Sequence, residues 1–514
     1  MSRISSDKCA MAAQPKQPRR FPDLPILCAL SFTVAAAYAN SLHGPFIDDD
    51  LHAIVANDHI RSIFPLSQSM TAPPLNELVG RPIICLSFAI NYALGGLNPL
   101  GYHVVNVAAH IACAILLFLL TQITLRGRLP FSSSPGTPGE GRGGSSVLAT
   151  RVAAAIALLW SLHPIQTESV NYITQRTEVF ESMFLLLTLY AVARSAFSPR
   201  PLAWIALAII ACALGMGCKE QMVVAPLLAM LYIWCFLPNQ PGRHRATLLL
   251  VVGLFLTWII LPIELIDADW DSKSGYGLKY MTRIDYLQTQ VSVIFHYFRL
   301  CLWPSGLVID YTNWPVEHSF LSALPGGLLI VLALLASAYG CLRKHWAGFL
   351  GAWFFLNLGP TSSFLPNFTE IAAERRMYLP SAAVIVCVTI AIWRIVSREK
   401  FFLPIVATLA VTLGLLTILR NQVYQSSISI WTDAATKRPD NWHAHYFLSR
   451  SYAELNDWNH AWPEDQLALQ LEPRAVGPQQ LRDLILQSSP ALIRPDKPAS
   501  LPDHPAASKP SPPE

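Results

Sequence analysis

The sequence predicts an all-α polytopic membrane protein, a bundle of about eleven transmembrane helices with amphipathic helices at its outer face and a small C-terminal helical appendage. Three observations predict it. Of 514 residues, 53% are hydrophobic and 14% charged, whereas soluble domains carry about 25% charged residues. Apolar stretches close to the ~20 residues needed to cross a bilayer recur along the chain. Lys and Arg collect in alternate gaps between those stretches, as the positive-inside rule requires of cytoplasmic loops.

The expected spans begin near Leu24, Tyr102, Val152, Val179, Leu202, Met222, Leu248, Phe320, Ala347, Tyr378 and Phe402. Cytoplasmic gaps are marked by Lys16, Arg19 and Arg20, then Arg126, Arg128, Arg142 and Arg151, Arg194 and Arg200, Arg243 and Arg245, Arg343 and Lys344, and Arg394, Arg398 and Lys400. Acidic loop residues fall on the other side, among them Asp48, Asp49, Asp50, Glu77, Glu168, Asp267, Asp269, Asp271, Asp310, Glu370 and Glu374. The apolar stretch 284–303 contains Asp285, Gln288, Gln290, His296 and Arg299, so it reads as an interfacial amphipathic helix. As a span it would invert every later loop.

The domain plan follows. Residues 1–23 form a cytoplasmic tail and 24–421 the membrane domain, whose first outer loop is 43–100. Ala37, Tyr38 and Ala39 imitate a signal-peptidase site, but an uncleaved anchor preserves the charge pattern. Gly, Ser and Pro dominate the linker loop 126–148, and a Pro-rich tail occupies 474–514. The ten cysteines lie nearly all in apolar segments without metal-type spacing and read as small core hydrophobes. A net charge of +4 scattered in short clusters indicates no nucleic-acid partner.

Within 438–473, Leu448, Ser449, Tyr452, Ala461, Ala468 and Pro473 keep the intervals of one tetratricopeptide repeat. His445 and Asp465 stand where large apolar residues are usual, and Pro463 interrupts the second helix. A single repeat cannot bury its own apolar face. It is expected to pack on the membrane domain or on a protein partner, helped by a short helix at 481–486.

Four elements carry candidate chemistry. The first is the loop 46–58 with Asp48, Asp49 and Asp50. Adjacent carboxylates beside a bilayer raise one another's pKa, which makes one a base near neutral pH. The competing reading is a helix N-terminus, with Asp48 or Asp49 capping a short helix that begins around Leu51. His43, His52 and His59 also permit a divalent metal, although their spacing is not diagnostic. The second element runs from His163 and Pro164 through Glu168 to Arg176, an acid and a cation behind a helix stop that could equally be an interfacial break. The third, Lys219 and Glu220, puts charges between two spans with almost no loop, either a functional pair or a structural salt bridge. The fourth holds Glu374, Arg375 and Arg376, whose arginine forks on the non-cytoplasmic side suit phosphate oxygens better than a solvated charge run.

In this order the elements resemble the transmembrane and tetratricopeptide-repeat O-mannosyltransferase family and its bacterial relatives, within glycosyltransferase superfamily C (GT-C). The likeness rests on 46–58, Arg81 and Pro82, 94–103, 163–170, Lys219 and Glu220, 303–311, and 374–380 with the repeat behind them. It covers nearly the whole membrane domain. The resemblance implies a GT-C bundle, a polyprenyl-phosphate sugar donor, an extracytoplasmic site and inversion at the sugar carbon. The family's acidic pair falls on Asp49 and Asp50, and Asp48 stands where an aromatic residue is usual. The family's eukaryotic members carry a long repeat array, where this chain has one degraded unit.

The expected function is inverting transfer of a sugar, mannose among the candidates, from polyprenyl phosphate to a protein hydroxyl. Asp49, Asp50 or Asp48 would be the base, and Arg176, Lys219, Arg375 and Arg376 would hold the donor phosphate. Glu168, His163 and Glu220 would meet the acceptor or sugar. The protein would sit in a bacterial inner membrane, N-terminus cytoplasmic, with site and C-terminus outside. Transfer to a lipid or glycan acceptor is the nearest alternative. A lipid-linked-glycan flippase or a repeat scaffold comes from another class, but transporters place ionisable residues near the midplane, whereas these charges cluster at the outer boundary.

Overall fold

The computed structural model describes residues 23–74, 76–128, 140–238, 244–265, 281–362, 370–396 and 399–488. The tail before Asp23, the centre of the 126–148 linker, the trio Asp267, Asp269 and Asp271 and the end of the Pro-rich tail lie outside the described residues. Among the described residues there is no strand. In chain order the principal helices are α1 (Leu24–Tyr38), α2 (Pro82–Gly95), α3 (Pro99–Arg128), α4 (Glu140–Ser161), α5 (Thr167–Asn171), α6 (Arg176–Phe197), α7 (Pro201–Met216), α8 (Ala225–Phe236) and α9 (His244–Leu256). They continue with α10 (Arg283–Leu302), α11 (Phe320–Leu342), α12 (Trp346–Leu358), α13 (Pro380–Val396), α14 (Glu399–Val423), α15 (Ser427–Lys437), α16 (Trp442–Glu454), α17 (Trp458–Leu471) and α18 (Val476–Ser488).

Six helical segments are long and apolar enough to cross a bilayer: Leu24–Ser41, Pro99–Gly127, Ile173–Phe197, His244–Pro262, Phe320–Leu342 and Lys400–Val423. A bent pair, Val147–Ser161 with Pro164–Asn171, makes a seventh if counted as one span. The other four of the eleven expected segments are helices α7, α8, α12 and α13, shorter than a straight crossing. Their apolar runs are as long as read from the sequence, but the helices within them are cut back. Gly217 ends α7, Leu237 in an extended conformation ends α8, and α13 opens only after the turn Glu374–Met377. The 284–303 segment forms the continuous amphipathic helix α10, started by a reciprocal Thr282–Asp285 capping box, and it is not among the spanning candidates.

The bend after α4 has a local cause. Proline disfavours the helical conformation of the residue before it, and His163 is extended, its ring accepting the Ile165 N–H. The two halves meet at 55°. This bend turns residues 164–175 across the end of the bundle instead of into a loop.

Lipid offers apolar surface as good as the protein's own, so helices associate through close packing and polar contacts. Helices α11 and α12 illustrate the first: a Cβ built on Gly348 would lie 2.6 Å from Gly340 Cα. Outward leucines such as Leu321 and Leu335 on α11 are exposed, as a lipid-facing helix requires. Polar contacts tie the site end together. Asn421 on α14 receives the Asn171 amide (2.7 Å) and donates to Ala37 O (2.9 Å), and His110 on α3 bridges Tyr378 Oη (2.6 Å) and Ser161 O (3.0 Å).

Helices α15 to α18 stack as successive neighbours beyond the end of α14. Ile430, Trp431, Ala434, Ala444 and Leu448 share one apolar cluster with Ile47, Tyr172, Ile309 and Tyr424 of the membrane domain. Trp431 stacks on Phe447 at 4.6 Å between ring centroids. Leu481 and Ile485 of α18 close the opposite face against Ala453 and Ala461. His445 has polar partners in Glu464 (2.6 Å) and Pro439 O (3.2 Å), whereas buried Asp465 makes no hydrogen bond among the described residues.

Candidate active site

The C-terminal ends of α1, α4 and α14 and the N-terminal ends of α3, α6 and α13 are tied together at the end of the bundle where the loop after α1 lies. Gly44 permits the approach. A Cβ there would meet Tyr424 O at 2.9 Å and His103 Nε2 at 3.2 Å.

The loop then turns tightly, with Asp50 N–H donating to Ile47 O (2.9 Å) and Leu51 N–H to Asp48 O (3.0 Å). Asp48 has φ +47, a left-handed conformation that Asp tolerates better than most residues. Asp50, not Asp48 or Asp49, occupies the N-cap position of the short helical turn Leu51–Val55, and its side chain does not cap it. The Asp50 carboxylate instead accepts the Ile47 N–H (3.0 Å), the Thr174 N–H (2.7 Å) and the Thr174 hydroxyl. It is fully buried, and burial pushes its acid up to about 7 despite those bonds. Its oxygens are committed to pinning the loop onto residues 173–175.

Asp48 and Asp49 remain half-buried. The Asp49 N–H donates to Tyr172 Oη (2.9 Å). Burial raises the Asp49 acid, with Arg375 opposing and Glu370 adding to the rise. Asp48 is pushed well above the ordinary range, by burial first and then by Asp49.

Arg375 brings a guanidinium to the site. Its backbone N–H donates to Glu168 Oε2 (2.9 Å), and its guanidinium bridges Glu168 and Glu370. The 374–378 turn that carries it is anchored through Trp160 Nε1 on Tyr378 O (2.9 Å) and by Glu374, which accepts the Val308 N–H (2.6 Å) and the Tyr311 hydroxyl (2.7 Å).

The structure thus gathers Asp48, Asp49, Asp50, Glu168 and Arg375. The other expected site residues are engaged elsewhere. Arg176 is fully buried behind Asp50, donating to Asn106 (2.8 Å), Asn91 (2.6 Å), Ser87 (3.2 Å) and Tyr102 O (3.0 Å) with its guanidinium over the Phe88 ring. Lys219 pairs with Glu178, not with Glu220, which faces Arg81 at 3.4 Å. Arg376 spends its donors on the carbonyls of Thr361, Glu370 and Ile371. His163 holds Cys301 O (3.1 Å) and the start of the next turn. Among the described residues no three His, Cys, Asp or Glu side chains are grouped to hold a metal, and His59 bonds Thr71.

Sequence reasoning missed Tyr172, Thr174, Glu370, Asp310 and His443 as parts of this site. Glu370 and Asp310 were visible as outer acids, but nothing local marked their partners. Asp310 accepts from His443 Nδ1 (2.8 Å), Asn441 Nδ2 (3.1 Å), Thr312 N (2.9 Å) and Thr312 Oγ1 (2.6 Å). Chemically, the arrangement offers half-buried carboxylates able to take a proton beside a guanidinium able to face an anion.

No protein-family model matches the chain. In sequence it is similar to protein O-mannosyl-transferase TMTC4 of Mus musculus, 25% identical over 484 residues, covering 83% of this chain and 63% of the relative. The Homo sapiens TMTC4 is 25% identical over 475 residues, 81% and 62% of the two chains. TMTC3 of Mus musculus is 23% identical over 531 residues, 86% and 54%. The chain therefore spans less than two thirds of the length of these relatives. Among solved structures, the Archaeoglobus fulgidus oligosaccharyltransferase in its apo form aligns with a TM-score of 0.44 at 12% identity, over 84% of this chain and 60% of that one.

Proposed function

Taking this chain as a homologue of the protein O-mannosyl-transferases, we propose that it transfers a sugar, mannose first among candidates, from a polyprenyl phosphate to a protein hydroxyl outside the cytoplasm. The observation that carries the reading is the position of Asp49, half-buried and free of the structural bonds that occupy Asp50, next to Asp48 and in the field of Arg375.

The acceptor oxygen attacks the sugar's anomeric carbon as the bond from that carbon to the phosphate oxygen breaks, so the configuration inverts. The bonding pair leaves with the polyprenyl phosphate, and the acceptor's proton passes to the Asp49 carboxylate. Phosphate is a good leaving group and requires no general acid. Arg375 stabilises its developing charge while Glu168 and Glu370 fix the plane of the guanidinium. Burial and then Glu370 raise the basicity of Asp49, and Asp50 pins the loop that carries it.

The test is transfer of radiolabelled mannose from mannosyl-phosphoryl-dolichol to a serine- and threonine-rich peptide by the purified full-length protein. Asp49→Asn is expected to lower turnover by about 10²- to 10⁴-fold with an unchanged melting profile. Wild-type turnover in that variant would end the assignment of the base. Label appearing in lipid or glycan and never in peptide would move the acceptor to that class.

A further inference from the structure

The appendage does more than cover the membrane domain. Helix α16 packs Ala444 and Leu448 in one apolar cluster with Ile47 of the acidic loop, and its second residue, His443, points its Nδ1 at Asp310 (2.8 Å). Asp310 is itself held by Thr312 and Asn441, so the carboxylate cannot swing away. Three aromatic rings fix the imidazole from the sides: Phe447 at 4.7 Å, Trp442 at 5.2 Å and Trp431 at 6.1 Å between centroids. The second ring nitrogen makes no hydrogen bond among the described residues, and the side chain is 28% exposed.

The charged groups facing this imidazole are Asp310 from the segment after α10 and Asp48 and Asp49 from the acidic loop. Burial disfavours its charge, but Asp310, with smaller contributions from Asp48 and Asp49, more than offsets that and lifts it to about 9. Asp310, which burial alone would raise, is held at about 2 chiefly by His443. Both therefore carry charge at neutral pH. Arg375 also favours the charged form of Asp49, while Glu370 opposes it. Without His443, Asp49 would depend on Arg375, which is already bound to Glu168 and Glu370.

We propose that the appendage contributes a positioning residue to the transfer site: His443, clamped as an imidazolium by Asp310, supplies positive charge that favours the ionised carboxylate of Asp49 and so readies it to accept a proton. The inference rests on the transfer reading above. It gives the single repeat-like unit a chemical task, which a covering element would not have.

The experiment is the pH dependence of mannose transfer from mannosyl-phosphoryl-dolichol to the same peptide, with full-length wild type, His443→Gln and His443→Lys. Gln can still donate to Asp310 but carries no charge. The acid limb of kcat/KM is expected to move up by about one pH unit in His443→Gln, a roughly tenfold loss on that limb that disappears at alkaline pH, and to return in His443→Lys. An unmoved limb, or an equal loss at every pH, would overturn the proposal in favour of a structural role. His443→Asn reads the same limb if the Gln variant does not accumulate folded. The controls separate the failures: if wild type transfers no mannose the transfer reading falls, if Asp49→Asn transfers normally the assignment of Asp49 as base falls, and if Asp49→Asn is dead while the His443→Gln limb stays put, only the role of His443 falls.

Discussion

Arg375 and Glu168 meet twice, backbone N–H to one carboxylate oxygen at 2.9 Å and guanidinium to the other, so an arginine and a glutamate far apart in the chain act as a single rigid unit. The unit joins α5 to the turn before α13. It places a positive fork in the field of Asp49 while leaving the Glu168 carboxylate no freedom to act as a base.

Arg375→Gln is expected to lower kcat by about 10²-fold, the usual cost of one preorganised donor to a developing anion. Arg375→Lys keeps the charge but not the fork and should fall between the two. Turnover per folded molecule, normalised by size-exclusion recovery, checks this.

Asp50 and Asp49 should separate stability from catalysis. Asp50→Asn replaces an acceptor oxygen by an amide facing the Ile47 or Thr174 donors, at a cost of about 1–3 kcal/mol. Thermal unfolding in detergent should show it. Asp49→Asn should leave the melting temperature near wild type and remove turnover.

Arg176→Gln is expected to act on folding, not on the donor. It strips hydrogen bonds from Asn91, Asn106 and the Tyr102 carbonyl, buried groups whose unmet polar atoms each cost about 1–3 kcal/mol. The folded fraction should keep an unchanged KM for the lipid-linked sugar. A large rise in KM with normal stability would return Arg176 to the phosphate site.

Asp465 gives a pH prediction for the appendage. Burial lifts its acid to about 7, above its unfolded value of about 4. The folded state therefore binds the extra proton between these values. Its stabilising contribution is complete below about pH 4 and is lost as pH rises through about 7. Wild type should melt lower at about pH 8 than at about pH 5, and Asp465→Leu should remove that component of the dependence and stabilise the appendage, since an unpaired buried carboxylate gives way to the apolar residue usual there.

Membrane character, helical class and the order of the apolar segments were legible in the sequence because they follow from hydropathy and local charge, properties of neighbouring residues. The same holds for the acidic loop and for Glu168 and Arg375, since ionisable residues beside a membrane stand out against an apolar background. Helix lengths were less legible. The short α7, α8, α12 and α13 end where backbone geometry and packing stop them, and hydropathy does not report that.

The sequence by itself determined that a cluster of acids would face a few cations at one membrane boundary. Only the tertiary structure decided which partner each charge meets: Asp50 the Thr174 donors, Glu168 Arg375, Lys219 Glu178, and Asp310 His443. The physical reason is distance along the chain. Burial makes every one of these charges costly alone, so each must find a partner, but partners 41 to 207 residues apart are selected by helix packing and not by spacing. For the same reason Arg176, conspicuous as a cation, became a buried strut, while inconspicuous His443 arrived beside the aspartates on a helix from the far end of the chain.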